Sequence, residues 1–186
     1  MTPQKSAARV QLTTGAVTGA DVIRSRKTLG ELAGIFADET ARAAMDPDTP
    51  VYDVVCRQTV PEGTPGGLFF GTSIVHPGKV GEEYFMTKGH FHLRREAAEY
   101  YWGISGRGLL LFADDAGDCR AECVEPGSLH YIPGHTAHRL VNTGEEDLVV
   151  GACWGADAGH DYGALTREGF PVLALEQDGQ LVLAEK

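Results

Sequence analysis

The sequence predicts an all-β fold: one sandwich or barrel, entered through a short N-terminal region that is helical or extended. Two observations carry this. From Tyr52 onward, short runs rich in β-branched and aromatic residues alternate with glycine turns, as in "VYDVVCRQTV", "GLFFGTSIV", "EYYWGI", "GLLLF" and "DLVVGACWG". Several short strands at close spacing are the pattern of a sandwich or barrel. The tail, "FPVLALEQDGQLVLAEK", sets Asp178–Gly179 between two apolar runs, a strong two-residue hairpin signal.

In chain order, residues 1–20 read as extended and irregular. The stretch "SRKTLGELAGIFADETARAAM", starting at Ser25, brings Leu29, Leu32, Ile35 and Phe36 round at helical spacing, which predicts one or two short helices. "DPDTP" (Asp46–Pro50) ends that region, because prolines and aspartates favour turns. Residues 1–50 are therefore expected to be an N-terminal arm and helices packed on a barrel of residues 51–186. The two parts form one structural domain, since 186 residues suit a single domain with a sizeable core.

Composition narrows the function. The formal net charge is −10, from 26 acidic and 16 basic residues. That field repels a phosphate backbone, so nucleic acid is not an expected partner. A small phosphorylated ligand is compatible with it, because hydroxyls and backbone N–H groups can hold one phosphate. No apolar run approaches the roughly 20 residues of a membrane helix, and "MTPQKSAARVQLTTG" lacks a signal-peptide core. The expected setting is the cytoplasm, with no membrane partner. Cys56, Cys119, Cys123 and Cys153 match no standard zinc spacing and read as reduced, partly buried thiols.

The chemistry concentrates in "MTKGHFHLRREAAEYYWGISGRG", Met86–Gly108. His90 and His92, two apart, project to one face if the segment is a strand. Glu99 follows after a bend and shares a strand face with Tyr101. Downstream, "PGSLHYIPGHTAHRLVNTG" holds His130, His135 and His138, with His138 where a strand would begin after the Pro133–Gly134 turn. Imidazoles and a carboxylate together suit a divalent transition metal such as iron, manganese, nickel or zinc.

"GHFH" with Glu99 and Gly106 resembles the first motif of the cupin family. The second stretch, with His138 and Asn142, resembles the second motif. The long gap between the histidine pair and Glu99, together with "GTSIVHPGKVGEEYFMTKGH", "PGSLHYIP", "AHRLVNTG" and "DAGHDYG", resembles one cupin subgroup, the archaeal-type glucose-6-phosphate isomerases. The likeness runs over most of the chain. It implies a single cupin (jelly-roll) β-barrel and a metal-dependent aldose–ketose isomerase interconverting glucose 6-phosphate and fructose 6-phosphate, a homodimer with a small sugar phosphate as its partner. The N-terminal arm could then pair with the partner's sheet edge.

Position by position, the resemblance makes His90, His92, Glu99 and His138 the metal ligands. Iron(II) is the first expectation, with manganese, nickel or zinc as alternatives. Tyr52, Ser73, Thr87, Gly89 and Tyr162 become substrate-binding residues, the phosphate held by the hydroxyls of Ser73, Thr87 and Tyr162 and by the Gly89 backbone. Glu99, His160 and Tyr101 become the catalytic set. His130, His135 and His76 match no ligand position, with His135 read as lining or surface. Trp154 stands where the family commonly has tyrosine, which removes a hydroxyl near the pocket. Glu99 could act as ligand, base or both. The hydrogen could travel through an enediol or by a direct hydride shift. Two other classes stay open beside the isomerase: another metal-dependent cupin enzyme, such as a dioxygenase, and a non-catalytic cupin that binds sugar phosphates.

Overall fold

The computed structural model describes residues 1–165 and 169–186. The N-terminal arm is a small antiparallel pair, β1 (Ala8–Val10) and β2 (Val17–Gly19). The turn between them rests on the sheet beneath, where the Thr72 hydroxyl donates to the Gly15 carbonyl at 2.8 Å. Gly15 sits at φ +67°, and a Cβ there would lie 2.6 Å from Val149 and 2.7 Å from Thr72, so only glycine fits.

The region expected to be helical is mostly something else. β3 (Val22–Thr28) takes Ser25, Arg26 and Lys27 into a strand, paired antiparallel with β4 (Pro50–Arg57). Arg26 fixes that pairing with a two-pronged ion pair to Asp53, at 2.7 and 2.8 Å. Gly30–Leu32 is one 3-10 turn, and the single short helix, α1 (Glu39–Ala44), buries no residue. Asp38 caps α1 by accepting from the Ala41 amide at 2.8 Å. The apolar spacing nevertheless marked real core residues: Leu29 and Leu32 are wholly buried and Phe36 nearly so. Pairing with β4 outcompeted helix at the start, and Gly34 at φ +78° broke the remainder.

The strands then follow in order: β5 (Leu68–Val75), β6 (Lys79–Val80), β7 (Glu83–Tyr84), β8 (Glu99–Ser105), β9 (Gly108–Asp114), β10 (Cys119–Val124), β11 (Leu129–Ile132), β12 (Thr136–Asn142), β13 (Leu148–Gly155), β14 (Val172–Gln177) and β15 (Gln180–Glu185). They form a six-stranded sheet ordered β11-β8-β13-β5-β4-β3, a three-stranded sheet β10-β9-β12 and a four-stranded sheet β15-β14-β7-β6, beside the β1-β2 pair. The all-β fold is as expected. So is the C-terminal hairpin, where Gln177 pairs with Gln180 around Asp178 (φ 51°) and Gly179 (φ 74°). Both central residues in the left-handed region make the turn type I′.

One apolar core joins these sheets, with Phe112, Leu110, Leu140, Leu148, Val51 and Phe170 among its members. Asn142, fully buried, ties the end of β12 to two neighbours. Its amide donates at 2.8 Å to the carbonyls of Val75 and Glu146, and its oxygen accepts from Gly144 at 2.9 Å. All four cysteines are free, and Cys119 and Cys123 are exposed rather than partly buried. No helix is long and apolar enough to cross a membrane among the described residues.

Candidate metal centre and adjoining cavity

His90 and His92 do not lie on a regular strand, as the spacing had suggested. They sit on an extended segment that touches β12 through isolated bridges, Met86 to Val141 and His90 to His138. The second bridge exchanges both backbone bonds, His90 N–H to His138 O at 3.3 Å and His138 N–H to His90 O at 3.1 Å. A directly opposed pair keeps its side chains on one side of the ladder, and the two rings lie 4.4 Å apart. Although the strand is irregular, His92 still faces the same way, its ring 5.6 Å from His90 and 5.4 Å from His138. Glu99 enters from the other side as the first residue of β8, held in register opposite Ile132 and Trp154.

The four potential ligand atoms of His90, His92, Glu99 and His138 all lie within 4.8 Å of one another. Burial and the neighbouring imidazoles hold His90 well below its ordinary pKa, so its lone pair is available. Its Nε2 is buried with no hydrogen-bond partner, and so is Nδ1 of His138. Buried polar atoms are rarely left so.

The environment of His92 is more specific. Nδ1 lies 3.0 Å from the Ala97 carbonyl, and Nε2 lies 3.2 Å from Glu99 Oε2. Both partners only accept, whereas a neutral imidazole carries one N–H. The carbonyl takes that proton, which leaves the Nε2 lone pair facing a carboxylate. Two acceptors in contact require a positive centre between or beside them, either a proton or a metal cation. Burial opposes charge on His92, yet Glu99 and the Ala97 carbonyl raise its pKa overall. Glu99, 3.4 Å from His138 Nε2 as well, would be pushed up by burial, but His138 and His92 hold it below the usual carboxylate range. Three imidazoles, one carboxylate and a carbonyl that orients His92 from behind fit a divalent cation.

A cavity opens beside this cluster. His90, Glu99 and His138 form one wall. Tyr52 from β4 and Ser73 from β5 form another, with Thr87 and Gly89 from the extended segment. Tyr101, His160 and Tyr162 complete the lining, and Trp154 also reaches it while packing edge-on to Phe69 at 5.9 Å. Every expected substrate-binding and catalytic residue therefore lines one space, with His92 directly behind. Burial, then the Glu99 carboxylate, pushes the Tyr101 phenol well above its usual pKa, so it stays a donor. Burial lowers His160, which stacks against Tyr162 with planes 6° apart. The Thr87 hydroxyl accepts from the Leu140 amide at 3.0 Å, leaving its own proton free to donate into the cavity.

The other histidines lie elsewhere. His130 is buried between Glu122 (2.7 Å) and Ser128 (2.8 Å), His76 contacts Asp147 at 2.9 Å, and His135 is exposed in the turn at φ 59°. A larger surface groove, about 620 Å3 between β9, β10 and β15, has no histidine in its lining. Lys88 also lines the site cavity, and sequence reasoning missed it. Strict alternation would turn Lys88 away from Thr87 and Gly89, but the segment is not a regular strand, so alternation does not hold there.

The family model described as "Glucose-6-phosphate isomerase (GPI)" matches residues 26–186. The glucose-6-phosphate isomerase of Thermococcus kodakarensis is 40% identical over 177 residues, covering 95% of this chain and 92% of that protein. The glucose-6-phosphate isomerase of Pyrococcus horikoshii is 38% identical, covering 95% and 93%. That of Sinorhizobium medicae is 38% identical, covering 95% and 83%.

Proposed function

This chain belongs to the glucose-6-phosphate isomerase family, and from that premise we propose that it interconverts glucose 6-phosphate and fructose 6-phosphate with His90, His92, Glu99 and His138 holding a divalent metal. The observation that carries the metal reading is His92, faced by an acceptor at each ring nitrogen.

Converting the aldose phosphate to the ketose phosphate moves one hydrogen from C2 to C1 and one from O2 to O1. Held by His90, His92, Glu99 and His138, a divalent cation would supply Lewis acidity for polarising the substrate carbonyl. Glu99, ionised and walling the cavity, takes the C2 proton and returns it to C1. Tyr101, kept protonated, donates a hydrogen bond to the oxygen that gains charge, passing its phenol proton to O1 as it recovers the proton of O2. His160, its imidazole kept neutral by burial, takes the anomeric hydroxyl proton and returns it to the ring oxygen as the C1–O bond of the ring breaks. Ser73, Thr87, Tyr162 and the Gly89 backbone hold the phosphate, and Tyr52 closes the cavity beside them. An enediol route uses the carboxylate already in place.

Iron(II) is the proposed ion, with manganese, nickel and zinc as substitutes, and the setting is the cytoplasm. The proposed homodimer forms across the outer face of β8 and β11. There Tyr100, Leu129 and Tyr131 are 49%, 67% and 51% exposed, and Tyr100 and Tyr131 pair 5.2 Å apart. Light scattering that gives a monomer at micromolar concentration refutes the dimer.

A coupled assay following fructose 6-phosphate tests the function. Chelator-stripped protein is expected to be inactive, and iron, manganese, nickel or zinc to restore activity to differing degrees. Full activity without metal overturns the site.

A further inference from the structure

A phosphomonoester carries close to two negative charges at neutral pH, and this chain already carries a net −10. The site cavity adds the Glu99 carboxylate. Hydroxyls and one backbone amide give a phosphate hydrogen bonds, but they do not neutralise it. A charged donor does both, and such bonds are roughly twice as strong as neutral ones.

Lys88 stands at the right place to do so. It lies between Thr87 and Gly89, two residues already assigned to the phosphate, and it lines both the site cavity and a second cavity of about 160 Å3 on the far side of Gly89. Its ammonium sits 4.7 Å over the Tyr162 ring. Among the described residues no carboxylate lies within ion-pair distance of it and no acceptor hydrogen-bonds it. The half-buried stem therefore runs along an aromatic ring and presents an unneutralised cation at the cavity.

The backbone that aims it is pinned from behind. Arg139, 3% exposed, donates from Nη2 to the Lys88 carbonyl at 2.8 Å and stacks over Phe170 at 4.9 Å. A Cβ on Gly89 would meet Arg139 Nε at 3.1 Å, so Gly89 and Arg139 are fitted to each other. The buried guanidinium thus fixes the Thr87–Gly89 turn and adds a second positive centre beneath it.

We infer that Lys88 is the counter-ion of the substrate phosphate. This rests on the isomerase reading for the identity of the sugar, but the phosphate recognition stands separately from the chemistry.

The experiment uses the metal-loaded full chain and two probes: a hexitol 6-phosphate, which has the phosphate but no carbonyl, and the same hexitol without phosphate. Calorimetry compares wild type, Lys88→Met and Lys88→Arg. Methionine keeps the stem on Tyr162 and removes only the charge. Lys88→Met is expected to weaken the hexitol 6-phosphate about 10- to 100-fold, with Lys88→Arg recovering most of it and the phosphate-free hexitol unaffected. The Michaelis constant for fructose 6-phosphate should rise in parallel, the loss falling there rather than in kcat. Equal affinity of wild type and Lys88→Met for the hexitol 6-phosphate overturns the inference, as does an equal loss with the phosphate-free hexitol or a wild type that binds no hexitol 6-phosphate. A wild type that binds the probe through Lys88 but does not isomerise fructose 6-phosphate sinks the isomerase reading and leaves Lys88 standing.

Discussion

Glu99→Gln is the most informative perturbation, because it separates ligand from base. The carboxylate is 5% exposed and lies 3.2 Å from His92 Nε2 and 3.4 Å from His138 Nε2. Glutamine keeps the shape and one oxygen, and it lowers the charge of the ligand set by one. If its NH2 group replaces Oε2, it donates to the His92 lone pair and competes with the cation for that nitrogen. Losing a charged partner of this kind costs about 1.5–3 kcal/mol, or roughly 10- to 150-fold in metal affinity. Metal content after dialysis, followed by titration, measures that part. Activity should fall further, by about 100-fold or more at saturating metal, the scale of a lost general base. Running the reaction in deuterated water then reports the route, since an enediol path lets solvent hydrogen appear at C1. A Glu99→Gln enzyme that holds its metal and keeps most of its turnover, with the C2 hydrogen carried across intact, refutes the base role and leaves Glu99 a ligand.

Thr87→Val removes a hydroxyl that accepts from the Leu140 amide on a residue lining the cavity. The expected loss is about 1–3 kcal/mol in substrate binding, seen as a raised Michaelis constant for fructose 6-phosphate; an unchanged constant puts the phosphate elsewhere. Asn142→Ala deletes three hydrogen bonds of a buried side chain, about 3 kcal/mol in all, and should lower the melting temperature by roughly 6–12 °C in calorimetry; a drop under about 2 °C would mean that the β9 ladder and packing hold β12 without Asn142. Asp53, hydrogen-bonded to Arg26, has its pKa lowered in the folded protein. A depressed carboxylate contributes stability above its unfolded pKa and loses it as pH falls through the folded value. Urea midpoints should therefore fall more on acidification below about pH 4 in the wild type than in Asp53→Asn, and identical pH dependence in the two contradicts this.

The sequence by itself determined the all-β class, the Asp178–Gly179 hairpin and which residues gather at the candidate site. These are local properties: strand runs of period two, a dipeptide that tolerates positive φ at both positions, and ligand-type side chains spaced as in a recognisable family. Leu29, Leu32 and Phe36 were legible as core for the same reason, since apolar periodicity reports burial whatever the backbone does. What element they sit in was not legible. A strand is completed by a partner far along the chain, and β4 captured Ser25–Thr28 through contacts no local propensity contains. The irregular backbone at His90–His92 was hidden likewise, because β12 sets it through isolated bridges. Only the tertiary structure decided that His92 is faced by two acceptors, that Arg139 lies under Gly89, and that Lys88 turns into the cavity. Each depends on where a neighbouring strand puts an atom, which no local alternation of side chains specifies.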